Sequence, residues 1–155
     1  MYLLKRLNKL PKLLFVILAF VFCLNFYLAT LDSQTIDEGA HLAAGYSYVT
    51  PGDYRLNPEH PALIKLLAGT AILPLNTKPA KELNGWAEAN QWPAGKDLIY
   101  NSRSSSRQIL LLARLPSILI TVTLVYAVFL LARRFGGEKV GLLAAGLFAL
   151  APTLN

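Results

Sequence analysis

Two segments of this chain gather both of its histidines and three of its nine acids. Asp37 and Glu38 open a stretch that also holds His41 and Tyr48, and Glu59, His60 and Lys65 fall together a little further on. Carboxylates and imidazoles in hydrogen-bond reach of a hydroxyl can take or return its proton. Lysine and arginine can hold a developing anion. Arg114 is the third feature of chemical interest, because it sits near the start of an otherwise apolar run. A charge there costs on the order of 2.5–3.5 kcal/mol at a bilayer centre and less near its edge. It needs an anionic partner, or it must snorkel to the headgroups. Asp37, His41, Glu59 and His60 could offer ligands to a divalent metal, but their spacings form no tight ligand pattern. No metal or other cofactor is predicted.

Each residue also has a plainer reading. If a helix begins at Asp37, then His41, Ala44 and Tyr48 share one face of it. On spacing alone this is a surface helix capped by Asp37, since exposed N–H groups at a helix start favour a carboxylate. His41 is then a polar residue on the helix face. Lys65 reads as a snorkelling interfacial lysine. His60 reads as an N-cap or a buried hydrogen-bonding group.

The elements that position these residues lie between apolar blocks. The chain has 155 residues, 54% of them hydrophobic, and a formal charge of +6. Soluble domains of this length are rarely so apolar. The positive charge gathers at block edges, which suits a membrane protein better than a nucleic-acid binder. The lone cysteine, Cys23, lies inside the first block and offers neither a disulfide nor a metal pair.

Residues 1–12 are basic and carry no acid, and residues 13–31 carry no formal charge. At ~1.5 Å per residue that second stretch spans ~28 Å, close to the hydrocarbon thickness. A signal peptide would have a shorter apolar core of about 7–15 residues, and Ala29-Thr30-Leu31 is a poor cleavage site. An uncleaved transmembrane helix is expected. Its basic end should stay cytoplasmic, which places an outer loop at 32–108. That loop should carry helices near 37–49 and 61–73, the second too short to span and lying along the interface. Residues 76–107 are rich in turn formers. Trp86 and Trp92 fit either the headgroup level or a small loop core. Residues 101–107 read as a solvated approach to the next span.

A second span is expected at 109–132, a cytoplasmic turn at 133–139 and a third span at 140–155. That third span barely crosses, which reads as the N-terminal part of a larger polytopic protein. The fold class expected is therefore an all-α polytopic membrane protein with about three transmembrane helices and a long outer loop carrying juxtamembrane helices.

The order of motifs resembles a known group. After a first span come Asp37-Glu38, then Glu59-His60-Pro61-Ala62-Leu63-Ile64-Lys65, then Ala113-Arg114-Leu115-Pro116-Ser117 at the head of the second span. The chain, from about Leu13 to Asn155, is similar to multi-spanning glycosyltransferases of the C-type fold. Among these are the dolichyl-phosphate-mannose protein mannosyltransferases of family 39 and the bacterial lipid A aminoarabinose transferases. The resemblance implies transfer of a sugar from a polyprenyl-phosphate carrier to a protein, lipid or glycan acceptor on the outer face of the membrane, without a metal. It implies Asp37 as general base, with Glu38 as its orienting neighbour. It implies that Arg114 holds the carrier phosphate, with His60 and Lys65 as secondary contacts. His41, Glu59 and Tyr48 would face the acceptor or serve the structure. Ala62 departs from the family's pattern, which has a second proline there. A further acidic motif of the family would follow residue 155. The partners implied are the lipid bilayer, the carrier-linked sugar and an acceptor, with no nucleic acid. The competing classes are a non-catalytic membrane subunit and a transporter fragment.

Overall fold

The computed structural model describes residues 10–151. Most of the expected basic N-terminus (1–9) and the end of the expected third span (152–155) lie outside the described residues. The described chain is all-α: α1 (Lys12–Leu31), α2 (Glu38–Val49), α3 (Ala62–Ala71), α4 (Gln91–Tyr100) and α5 (Ser106–Ala149), with a short 3₁₀ turn at Ala80–Glu82. α1 and α5 are long and apolar enough to cross a membrane. The described chain divides into two compact units, one of residues 10–28 and 118–151, the other of residues 29–117.

In the first unit α5 is broken at Gly137, whose φ of 80° and ψ of −176° leave the helical region. That positive φ is one glycine adopts without a Cβ penalty. The chain doubles back after it. A Cβ at Gly141 would lie 2.9 Å from the Phe129 carbonyl oxygen. Val125 and Phe129 pack with Ala145 and Ala149, and with Leu14 and Val21 of α1. Only Leu14 and Val21 are buried in α1, while Phe15, Val16, Phe20 and Tyr27 stand about half exposed or more.

The second unit is built around α2. The expected surface helix is instead the buried centre of this unit, with every residue from Gly39 to Tyr48 except His41 buried. Its small side chains are the reason. Gly39, Ala40, Ala43, Ala44 and Gly45 let neighbours approach on several sides. α3 crosses so closely that a Cβ on Gly69 would lie 2.3 Å from the Gly45 carbonyl carbon. α4 crosses at the other end, where a Cβ on Gly95 would lie 2.4 Å from the Gly39 carbonyl carbon. Leu42, Ile72, Leu98, Ile99 and Ile109 fill the core around these crossings.

α4 falls in the stretch read as turns. Pro93 is tolerated because it occupies the first helical turn, where an N–H has no intrahelical acceptor. Asn90 caps this helix by accepting from the Trp92 N–H at 3.3 Å. Trp86 is half-buried against the core and donates its indole N–H to Ser47 Oγ at 3.1 Å, whereas Trp92 is exposed. The serine-rich approach to α5 is structural. Ser102 and Ser104 hydroxyls accept the backbone N–H groups of Lys78 and Asn76, each at 3.0 Å.

Candidate functional site

The chemistry-bearing residues meet on one side of α2, within the second unit. A cavity of about 410 Å³ is lined by Glu38, His41, His60, Lys65, Arg114 and Ser117, with Leu42, Pro61, Ile64, Ala68 and Ala113 supplying an apolar wall. Residues far apart in sequence converge here because α2, α3 and the start of α5 pack together. Asp37, Tyr48 and Glu59 do not line the cavity.

Asp37 occupies the N-cap position of α2 but has helical φ and ψ, and its side chain makes no capping bond. A capping side chain accepts from an N–H two or three residues on, from a non-helical backbone position. Here the backbone carbonyl of Asp37 accepts from the His41 N–H at 3.0 Å, and the carboxylate is exposed at the helix start.

Glu38 and Arg114 form a two-pronged ion pair. Arg114 Nε donates to Glu38 Oε1 at 2.6 Å and Nη2 to Oε2 at 2.7 Å. The remaining guanidinium protons are also engaged. Nη1 donates to the Ala29 and Asp32 carbonyls at 2.8 and 3.0 Å, and Nη2 to the Ser33 carbonyl at 3.0 Å. Guanidinium has five N–H donors, and five acceptors meet them. The Ala29 carbonyl belongs to the last turn of α1, whose carbonyls lack intrahelical partners. A cation at a helix C-terminus also suits its dipole. The charge in the apolar run thus finds its anionic partner in Glu38, with side-chain exposures of 15% and 20% for the pair.

Lys65 does not snorkel. It is 3% exposed on the face of α3 that meets α2. Its ammonium lies 2.8 Å from Asn57 Oδ1, 2.7 Å from the His60 carbonyl and 3.1 Å from the Tyr48 hydroxyl, and also donates to the Asn57 carbonyl. Burial pushes its pKa down, and the Glu59 carboxylate opposes that. Tyr48 donates its hydroxyl to the Asn57 carbonyl at 2.6 Å. Burial pushes the Tyr48 phenol up, helped by the negative charge of Glu59. Glu59 Oε1 accepts from Gln91 Nε2 at 3.3 Å. This cluster fixes the loop that carries His60.

His60 itself is exposed, and its ring meets that of His41 edge-on at 5.1 Å between centroids. His41 Nδ1 is buried without a hydrogen-bond partner. Among the described residues, no three His, Cys, Asp or Glu side chains come together as a metal-binding group.

Sequence reading missed Asn57 and Gln91. Asn57 is 2% exposed, takes Lys65 on its carbonyl and its side-chain oxygen, and donates Nδ2 to Gln91 Oε1. The one signal was Asn57-Pro58, which marks a turn but says nothing of burial. Comparison with protein-family models, with curated proteins and with solved structures returned no match.

Proposed function

We propose that this chain is a membrane glycosyltransferase, or the N-terminal part of one, that moves a sugar from a polyprenyl-phosphate carrier to an acceptor on the outer face of the membrane. The observation that carries the reading is the cavity. It sets an acid–guanidinium pair and two imidazoles against an apolar wall, in a unit that begins at the end of α1 and finishes in the first turns of α5. An isoprenoid carrier needs apolar surface for its chain and donors for its phosphate. Both α1 and α5 have the length and apolarity to span a bilayer, and each exposes large apolar side chains, Phe15, Val16 and Phe20 on α1 and Leu119, Leu124 and Leu131 on α5, as lipid contact would require.

In the proposed reaction an acceptor oxygen attacks the anomeric carbon. The bond from that carbon to the phosphate oxygen breaks, and the carrier phosphate leaves with the electron pair. The acceptor's proton passes to Asp37, which lies outside the cavity lining but adjoins the lining residue Glu38, and whose exposed carboxylate is not spent on a helix cap. His60, exposed at the cavity, offers an imidazole N–H to the leaving phosphate, since Lys65 is enclosed by its own acceptors.

The test is turnover of a polyprenyl-phosphate sugar by the full-length protein in proteoliposomes. Asp37→Asn should insert normally and slow transfer by ~10²–10⁴-fold. Turnover near that of the unaltered protein in Asp37→Asn would overturn the assignment. A second reading, a non-catalytic membrane subunit or a transporter fragment, is favoured by the full engagement of Lys65 and Arg114. It expects no sugar transfer from the unaltered protein.

A further inference from the structure

We infer that Arg114 is a positioning residue, which sets Asp37 through Glu38, and not a ligand of the carrier phosphate. The inference rests on the transferase reading for what is positioned, but its geometry stands without it. All five guanidinium donors already have acceptors at 2.6–3.0 Å, so a phosphate would have to displace Glu38 or strip the carbonyls. Those acceptors belong to one continuous piece of chain. Ala29 lies in the last turn of α1, Asp32 and Ser33 form the connection, and Glu38 opens α2. Glu38 Oε2 also accepts from the Thr35 N–H at 3.3 Å. One side chain of α5 therefore gathers the whole connection that leads into Asp37.

The fork is what Arg114 supplies. Two parallel bonds to a carboxylate fix its plane, which a lysine point charge cannot do. With Glu38 held, the backbone at Asp37 is held, and its carboxylate is presented at the start of α2. Removing the guanidinium should leave the carboxylate chemically intact but misplaced, a loss felt in the transition state more than in carrier binding.

The experiment compares Arg114→Lys, Arg114→Gln, Glu38→Gln and the double variant Glu38→Gln/Arg114→Gln with the unaltered full-length protein in proteoliposomes, using one defined polyprenyl-phosphate sugar. A positioning role predicts kcat down by about 10-fold or more in each single variant, with the carrier KM within about 2-fold. The double variant should be no worse than the poorer single one, because both act through one interaction. A carrier KM raised about 10-fold with kcat preserved, and multiplicative effects in the double variant, would overturn the inference in favour of phosphate binding.

Backbone hydrogen exchange over residues 32–38 provides a readout that needs no catalysis. It should accelerate in both Arg114→Gln and Glu38→Gln, while exchange in α4 stays as in the unaltered protein. Unchanged exchange at 32–38 in both variants defeats the inference whatever the activity. If the unaltered protein transfers no sugar, the transferase reading fails and exchange alone judges the clamp. Should Arg114→Gln not fold, Arg114→Lys and Glu38→Gln carry the same comparison.

Discussion

At the scale of single residues, the acids, histidines and cations of interest were visible in the sequence, but their partners were not. A charge written into an apolar run announces that it needs a counter-charge. It does not say that the partner is Glu38, 76 positions earlier. Lys65 shows the opposite failure. Its neighbours on α3 are apolar, which suggested an exposed cation, yet it points inward onto Asn57 and His60. Asp97 gave no sequence signal at all, and its burial is stabilised in the same manner. It is 6% exposed, takes Lys78 Nζ and the Asn84 N–H on one oxygen at 2.7 and 2.9 Å, and Asn101 Nδ2 on the other at 2.7 Å. Burial opposes its ionisation, but these donors together outweigh that and hold the carboxyl below its ordinary range. A depressed folded value means that the ionised form stabilises the fold above the unfolded pKa, and that this contribution is lost as pH falls through the folded one. The unit of residues 29–117 should accordingly loosen below about pH 4. Asp97→Asn should cost about 1–3 kcal/mol at neutral pH and flatten the acid limb of stability against pH. Thermal unfolding followed by circular dichroism from pH 3 to 7 measures both. An unchanged acid limb in the variant would show that Asp97 does not set it.

At the scale of elements, the long apolar helices were legible because length and lack of charge suffice to mark them. α2 was legible as a helix but not as a core. Its hydrophobic pattern lacks a polar side, which signals burial all round, while the acids at its start pull the eye toward the surface. α4 was hidden in a stretch rich in turn formers, although two of them fit the helix: Pro93 sits in its first turn and Gly95 is a contact point. The start of α5 carried a signal that went unread. Ser105 and Gln108 have the S-x-x-Q spacing of a capping box, and Gln108 Oε1 accepts the Ser105 N–H at 3.1 Å while Ser105 Oγ accepts the Gln108 N–H at 3.3 Å. The glycine crossings give the sharpest test at this scale. Gly69→Ala places a Cβ 2.3 Å from the backbone of α2, and flexible side-chain motion cannot relieve it. It should cost about 1–3 kcal/mol or more by overpacking, and it should push α3 away from α2, altering the cavity. Gly146→Ala meets nothing within 4 Å, so it should be neutral or stabilise by up to about 1 kcal/mol through helix propensity. Melting temperatures of the two variants in one detergent decide the matter. Equal stability would mean that the helices do not cross at touching backbones.

At the scale of the whole molecule, the two long apolar helices carry the proposal that the chain threads a membrane. Lys and Arg flanking a first span resist translocation, and Lys5, Arg6 and Lys9 precede α1 and Lys12 opens it, while Asp32, Asp37 and Glu38 follow it. Arg133, Arg134 and Lys139 flank the break in α5 at Gly137. The proposed threading puts residues 32–108 outside and the break at Gly137 inside. Single cysteines report this in a Cys23→Ser background, which is needed because Cys23 is exposed. Ser33 and Asn84 are exposed positions for the outer reports. Glu138 serves for the inner one, since a side chain at Gly137 would be strained by its positive φ. A membrane-impermeant thiol reagent applied to intact cells or spheroplasts should label the cysteines at 33 and 84. The one at 138 should react only after the membrane is opened. The reverse pattern would invert the protein and place the cavity on the cytoplasmic side, where an acceptor and carrier on the outer face could not reach it. Labelling of all three from one side would show that α1 and α5 do not separate two compartments, and would remove the membrane from the functional argument.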